Sequence, residues 1–122
     1  ETLGIPVTNE VLMSVSGFRG GGGGMRERCG IVEVGITLIG LLYGRLDYTE
    51  PKEPYSELTR KLHEKFQKEV GSYNCRDLYP ISLRLDGDCV YYYKKNSVIV
   101  ADFLIDTLDE IQPKIEVQNF TK

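Results

Sequence analysis

Apolar residues recur at helical spacing along this 122-residue chain, in stretches that glycine and proline separate. Tyr55, Leu58, Leu62, Phe66 and Val70 form the clearest series, with charged residues between them. That pattern predicts an amphipathic helix with Pro54 in its first turn and Gly71 just past its end. Upstream, Thr8 can N-cap a short helix carrying Val11, Leu12 and Val15, closed by Gly17. From Arg28 or Cys29 to Tyr43 the chain is apolar nearly all round, through Ile31, Val32, Val34, Ile36, Leu38, Ile39, Leu41 and Leu42. Its β-branched content would also suit a buried strand, but its length and Gly44 at the C′ position favour a central helix.

The C-terminal third is less regular. Ser72 or Asn74 can cap a short turn that carries Cys75, Arg76 and Leu78 and ends at Pro80. Ile81 to Tyr93 reads as irregular, with an Asp86-Gly87-Asp88 turn and a strand start at Tyr91 to Tyr93 that lacks an evident partner. A last helix is predicted from about Ser97 to Ile111, with Val98, Ala101, Ile105 and Leu108 on one side and Phe103 and Leu104 beside them. Pro113 stops it, and the tail at about 112–122 reads as mobile or as an oligomer contact. The chain has neither an internal repeat nor a composition break. The expected fold is all-α, a compact single-domain bundle of about four to five helices around the apolar helix at about 28–43.

Composition narrows the function classes. Hydrophobic residues make up 41% and charged residues 27%, as in an ordinary globular protein. A net charge of −3 lacks the basic footprint of a nucleic-acid binder, so no nucleic acid is expected as partner. The longest apolar run, VGITLIGLLYG, is shorter than the roughly 20 residues a membrane-spanning helix needs. No signal peptide is visible and the chain opens on Glu1, so a missing N-terminal segment is expected and a cytoplasmic location is favoured.

Cys29, Cys75 and Cys89 are an odd set without a C-x-x-C pair, which argues against a disulfide framework and a zinc ribbon. Cys29 follows an unusual run, GFRGGGGGMRERCG, with glycine at each position from Gly20 to Gly24. The run lacks the Lys-Ser/Thr of a phosphate loop and follows a helix rather than a strand, so neither nucleotide fingerprint applies. It is either a flexible linker or a cradle of backbone N–H groups for an anion, and composition leaves the two level. Arg19, Arg26 and Arg28 surround it, either for solubility or facing that anion. Cys29 in the first turn of a helix beside Arg26 and Arg28, and Cys75 at a helix start before Arg76, both sit where the thiolate is favoured. A thiolate can ligate metal or exchange with disulfides. Cys89 gains no such help, and a packed thiol explains it equally well. His63, the carboxylates Asp102, Asp106, Asp109 and Glu110, and the tyrosines Tyr91 to Tyr93 are each explained by ordinary surface or packing roles. With one histidine, no Ser-His-Asp arrangement suggests itself.

The order GFRGGGGGMRERCG, an apolar helix ending LLYGRLD, then GSYNCRDL, then a further cysteine before a terminal helix resembles the redox-active family named C_GCAxxG_C_C, from about Leu3 to Leu108. On that resemblance, Cys29 matches the cysteine of its CGAxxG motif, Cys75 that of its CR-L motif, and Cys89 its last cysteine. The resemblance implies an iron–sulfur cluster on these three thiolates. The fourth ligand would come from an upstream cysteine, another residue or a second subunit. It also implies that Gly20, Gly21, Gly22, Gly23, Gly24, Gly30 and Arg76 border the cofactor. The function implied is electron transfer to a redox partner protein, from a carrier or accessory protein rather than a stand-alone enzyme, and a homo-oligomer is compatible with it. Ile31 and Val34 stand where the family has Ala and Gly, which crowds that face of the helix, and Gly35 can offset this by a shift of register. Two alternatives stay open: a metal-free thiol–disulfide protein pairing Cys29 with Cys75, and a non-redox module whose glycine loop binds an anion.

Overall fold

The computed structural model of the chain describes residues 4–86 and 90–115. The described elements are α1 (Asn9–Ser14), a 3-10 turn (Ser16–Phe18), α2 (Gly30–Tyr43), α3 (Tyr55–Val70), α4 (Cys75–Asp86) and α5 (Val90–Glu110), with no strand among the described residues. The all-α expectation holds. Thr8 caps α1 as its residue type predicts, its hydroxyl accepting from the Val11 N–H at 3.2 Å. α3 ends as predicted, with Gly71 in the left-handed region at φ 96°, while Pro54 is its N-cap and not a residue of its first turn.

α2 is the centre of the bundle, with α3, α5 and the 3-10 turn packed on it and α4 packed on α5. The core joins Val32, Ile39 and Leu42 of α2, Leu58, Leu62 and Phe66 of α3, and Ile99, Val100 and Leu104 of α5. These side chains follow one helical stripe on each element, so their burial holds the three helices together. Gly35 lies where the three meet. A β-carbon there would stand 2.9 Å from Leu62 Cδ2 and 3.3 Å from Val100 Cγ1. Gly35 thus serves core packing and does not relieve the face that carries Ile31 and Val34.

Several boundaries differ from the sequence expectation, and α1 already ends at Ser14, with Val15 as its C-cap and Gly17 within the 3-10 turn. α4 runs through Pro80 to Asp86 instead of ending at the proline. Pro80 cannot donate to the carbonyl one turn back, but Leu78 is buried and α4 packs on α5, so tertiary contact outweighs one lost bond. α5 begins at Val90 rather than near Ser97, so Tyr91 to Tyr93 are helical and start no strand. Tyr92, Asn96, Ile99, Val100, Leu104 and Thr107 recur at helical spacing on its buried side, and that stripe overrides the strand preference of the tyrosines. Gly44 is extended, at φ −69°, not left-handed.

The tail also departs from expectation over residues 112–115. The Lys114 N–H donates to the Leu42 carbonyl at 2.8 Å and Lys114 Nζ to the Gly44 carbonyl at 2.7 Å, while the Tyr43 hydroxyl donates to the Ile111 carbonyl at 2.9 Å. The segment therefore satisfies carbonyls left open at the C-terminal end of α2, and Lys114 places its charge at the negative end of that helix. Residues 116–122 lie outside the described part. Among the described residues no helix is long and apolar enough to cross a membrane.

Candidate functional site

Two cysteines 46 positions apart in sequence meet through a single antiparallel bridge between Arg28 and Asn74. The Cys29 N–H donates to the Tyr73 carbonyl at 2.7 Å, and the Cys75 N–H to the Glu27 carbonyl at 2.6 Å. This is the pattern that flanks a non-hydrogen-bonded antiparallel pair, and it sets Cys29 opposite Tyr73. Cys75, two residues beyond Tyr73, is then the diagonal neighbour of Cys29 on the same face of the bridge. The bridge thus brings the two cysteines to the same side of the chain. Both are free.

Each cysteine opens a helix immediately after the bridge. Cys75 is the first residue of α4, as expected, whereas Cys29 is the N-cap of α2 and not a residue of its first turn. Both line one largely apolar cavity of about 340 Å³, together with Gly20, Gly21, Gly30, Ile31, Val34, Leu78, Tyr79, Tyr92 and Tyr93. A hydrogen-bond donor is aimed at each sulfur. Arg26 Nη1 lies 3.6 Å from Cys75 Sγ, with its guanidinium 3.7 Å above the Tyr79 ring. Asn96 Nδ2 lies 3.5 Å from Cys29 Sγ. One donor is a cation held against an aromatic face and the other a buried neutral amide.

The glycine run owes its composition to this geometry. Gly20 to Gly24 all have positive φ, between 58° and 89°, and Arg26 follows at 60°. At Gly21 a β-carbon would fall 2.6 Å from the Glu27 nitrogen, 2.7 Å from Arg26 Cα and 2.8 Å from Cys75 Cβ. At Gly30 it would fall 2.8 Å from the Phe18 carbonyl oxygen. The loop is thus not a loose linker. Nor are all its amides turned to a ligand: the N–H groups of Gly22, Gly23 and Gly24 donate to the carbonyls of Phe18, Gly17 and Arg19.

The predicted site residues accordingly divide. Cys29, Cys75, Gly20, Gly21 and Gly30 share the cavity; Gly22, Gly23 and Gly24 do not line it. Arg76 is directed back to the loop, with its Nε donating to the Arg26 carbonyl at 3.1 Å and its guanidinium paired with Glu27. Of the arginines around the run, Arg26 faces a thiol, Arg28 pairs with Glu33, and Arg19 is an exposed residue at the cavity rim. His63 bonds the Thr59 carbonyl, sits edge-on to Tyr73 and does not line the cavity. Asn96 lies just before the helix expected from Ser97, so local pattern does not mark it; with α5 starting at Val90, a lone amide on an apolar stripe is the signal.

Cys89 lies outside the described residues, one position before α5. Among the described residues no three His, Cys, Asp or Glu side chains converge as a metal site. An iron–sulfur cluster takes four ligands, commonly thiolates. Cys29 and Cys75 fit two of these positions, being same-face thiols with a donor on each sulfur.

No curated protein and no solved structure matches the chain. A family model does, over residues 1–103, and its description is "Putative redox-active protein (C_GCAxxG_C_C)". With the glycine loop, Cys29 and Cys75 all inside the matched region, the chain belongs to the C_GCAxxG_C_C family.

Proposed function

We propose that the chain is an electron-transfer protein whose redox centre is an iron–sulfur cluster bound between Cys29 and Cys75. Cys89 is the third ligand, and the fourth comes from another cysteine, another residue or a second subunit. The observation that supports this reading is the same-face placement of two free thiols that line one apolar cavity, each with a hydrogen-bond donor at its sulfur.

When bound, the cluster supplies reversible one-electron transfer. The chain's own part is to hold the sulfurs, offset their negative charge and keep water away. Arg26 and Asn96 donate to the two sulfurs, and Ile31, Val34, Leu78 and Tyr79 form an apolar wall. Low dielectric around the sulfurs strengthens both donor contacts. A redox protein is the partner this function requires.

The test is an ultraviolet–visible spectrum of anaerobically purified full-length protein, with iron and acid-labile sulfide assayed on the same sample. The expected result is broad visible absorbance with matched iron and sulfide, lost in Cys29→Ala and in Cys75→Ala while helical circular dichroism persists. A protein that stays colourless and iron-free after reconstitution overturns the reading. So does full colour in both variants.

A further inference from the structure

Asn96 is fully buried, yet only one end of its amide is used. Its Nδ2 donates to Cys29 Sγ at 3.5 Å, and its Oδ1 has no hydrogen-bond partner among the described residues. A buried polar atom left without a partner is a net cost to folding. The neighbouring positions on the same stripe of α5, Tyr92, Ile99 and Val100, pack as hydrophobic core. Folding alone would therefore favour an apolar side chain at residue 96.

The amide that stands there makes one polar contact, and that contact is a thiol of the site. Asn96 does not line the cavity; it reaches the site only through the Cys29 sulfur. The two sulfurs are served differently, Cys75 by a guanidinium from the loop and Cys29 by a neutral amide wholly out of water. We infer that Asn96 is a positioning residue of the redox centre: its amide N–H orients Cys29 Sγ and stabilises negative charge there, raising the reduction potential of the group bound through that sulfur. The inference rests on the cluster reading above.

Its test compares wild type with Asn96→Leu, which matches the amide in size, and with Asn96→Ala, which keeps the test open should leucine not pack. Each full-length protein is loaded anaerobically with ferrous iron and sulfide, assayed for iron, and titrated for its midpoint potential. A hydrogen bond to a charged acceptor shifts an equilibrium by about tenfold or more, and a tenfold change in a one-electron couple is about 59 mV. Both variants are expected to have a midpoint lower by about that amount or more at wild-type iron content. Loss of iron from variants whose helical circular dichroism is intact also supports the inference, since partners of ligands commonly govern affinity. An unchanged or raised midpoint at equal iron overturns it.

Should wild type itself take up no iron, it is the cluster reading that has failed, and the amide contact is then judged on the iron-free protein. The side-chain amide proton resonances of Asn96, followed by NMR, are expected to move in Cys29→Ala and to stay unchanged in Cys75→Ala. Amide resonances that do not move in Cys29→Ala overturn the inference.

Discussion

Gly21 lies directly against Cys75: a β-carbon on residue 21 would stand 2.8 Å from Cys75 Cβ, and closer still to the Glu27 nitrogen. Gly22 has the same sign of φ but open space where its β-carbon would be. Gly22→Ala is therefore expected to cost only the left-handed backbone penalty, about 1–2 kcal/mol. Gly21→Ala adds a clash with rigid backbone and is expected to cost about 1–3 kcal/mol more. Urea unfolding of the two variants checks this. Equal losses would mean that the loop does not hold Cys75 by close contact.

Arg26 combines a positive φ of 60° with contacts to Cys75 Sγ and the Tyr79 ring. Its backbone is costly for any residue but glycine, and its guanidinium is useful at the sulfur. Arg26→Gly is thus expected to be more stable than Arg26→Ala by about 1 kcal/mol. On the cluster reading, both are expected to bind iron about tenfold more weakly, since partners of metal ligands commonly govern affinity. Denaturation and iron titration separate the two effects. Wild-type iron affinity in both variants would count against a role for the guanidinium at that thiol.

Tyr43 ties the end of α2 to the segment after α5 through its bond to the Ile111 carbonyl. Burial holds its hydroxyl above the ordinary tyrosine value of 10.0. A group that keeps its proton more firmly when folded contributes stability in full below the unfolded value. That contribution is lost as pH climbs from about 10 through the raised native value. Tyr43→Phe is expected to lose about 1 kcal/mol at neutral pH and to show a shallower alkaline decline than wild type. Thermal melts across that range decide it; parallel curves would mean that Tyr43 does not carry the dependence.

Much of the architecture was legible in side-chain pattern. Helices α2 and α3 follow from apolar spacing and their flanking glycines because their stripes are long and uninterrupted. The N-terminal part of α5 was hidden. Its stripe passes through tyrosines with strand preference and a polar asparagine, so only packing against α2 and α4 reveals it as helix. Pro80 misled for a related reason, since a local rule for helix ends takes no account of what the following turns bury.

The site divides along the same line. By itself the sequence singled out the two thiols and the glycine run, because a thiol's reactivity belongs to its residue type and an unbroken glycine run signals unusual backbone. What only the tertiary structure decided is how those residues meet. One bridge joins Arg28 to Asn74, turns Cys29 and Cys75 to one face, and brings Arg26 and the buried Asn96 to separate sulfurs. The physical reason is that hydrogen bonds and contacts of this kind join positions far apart in sequence. Local pattern registers each partner's type, but not the distance at which folding sets it.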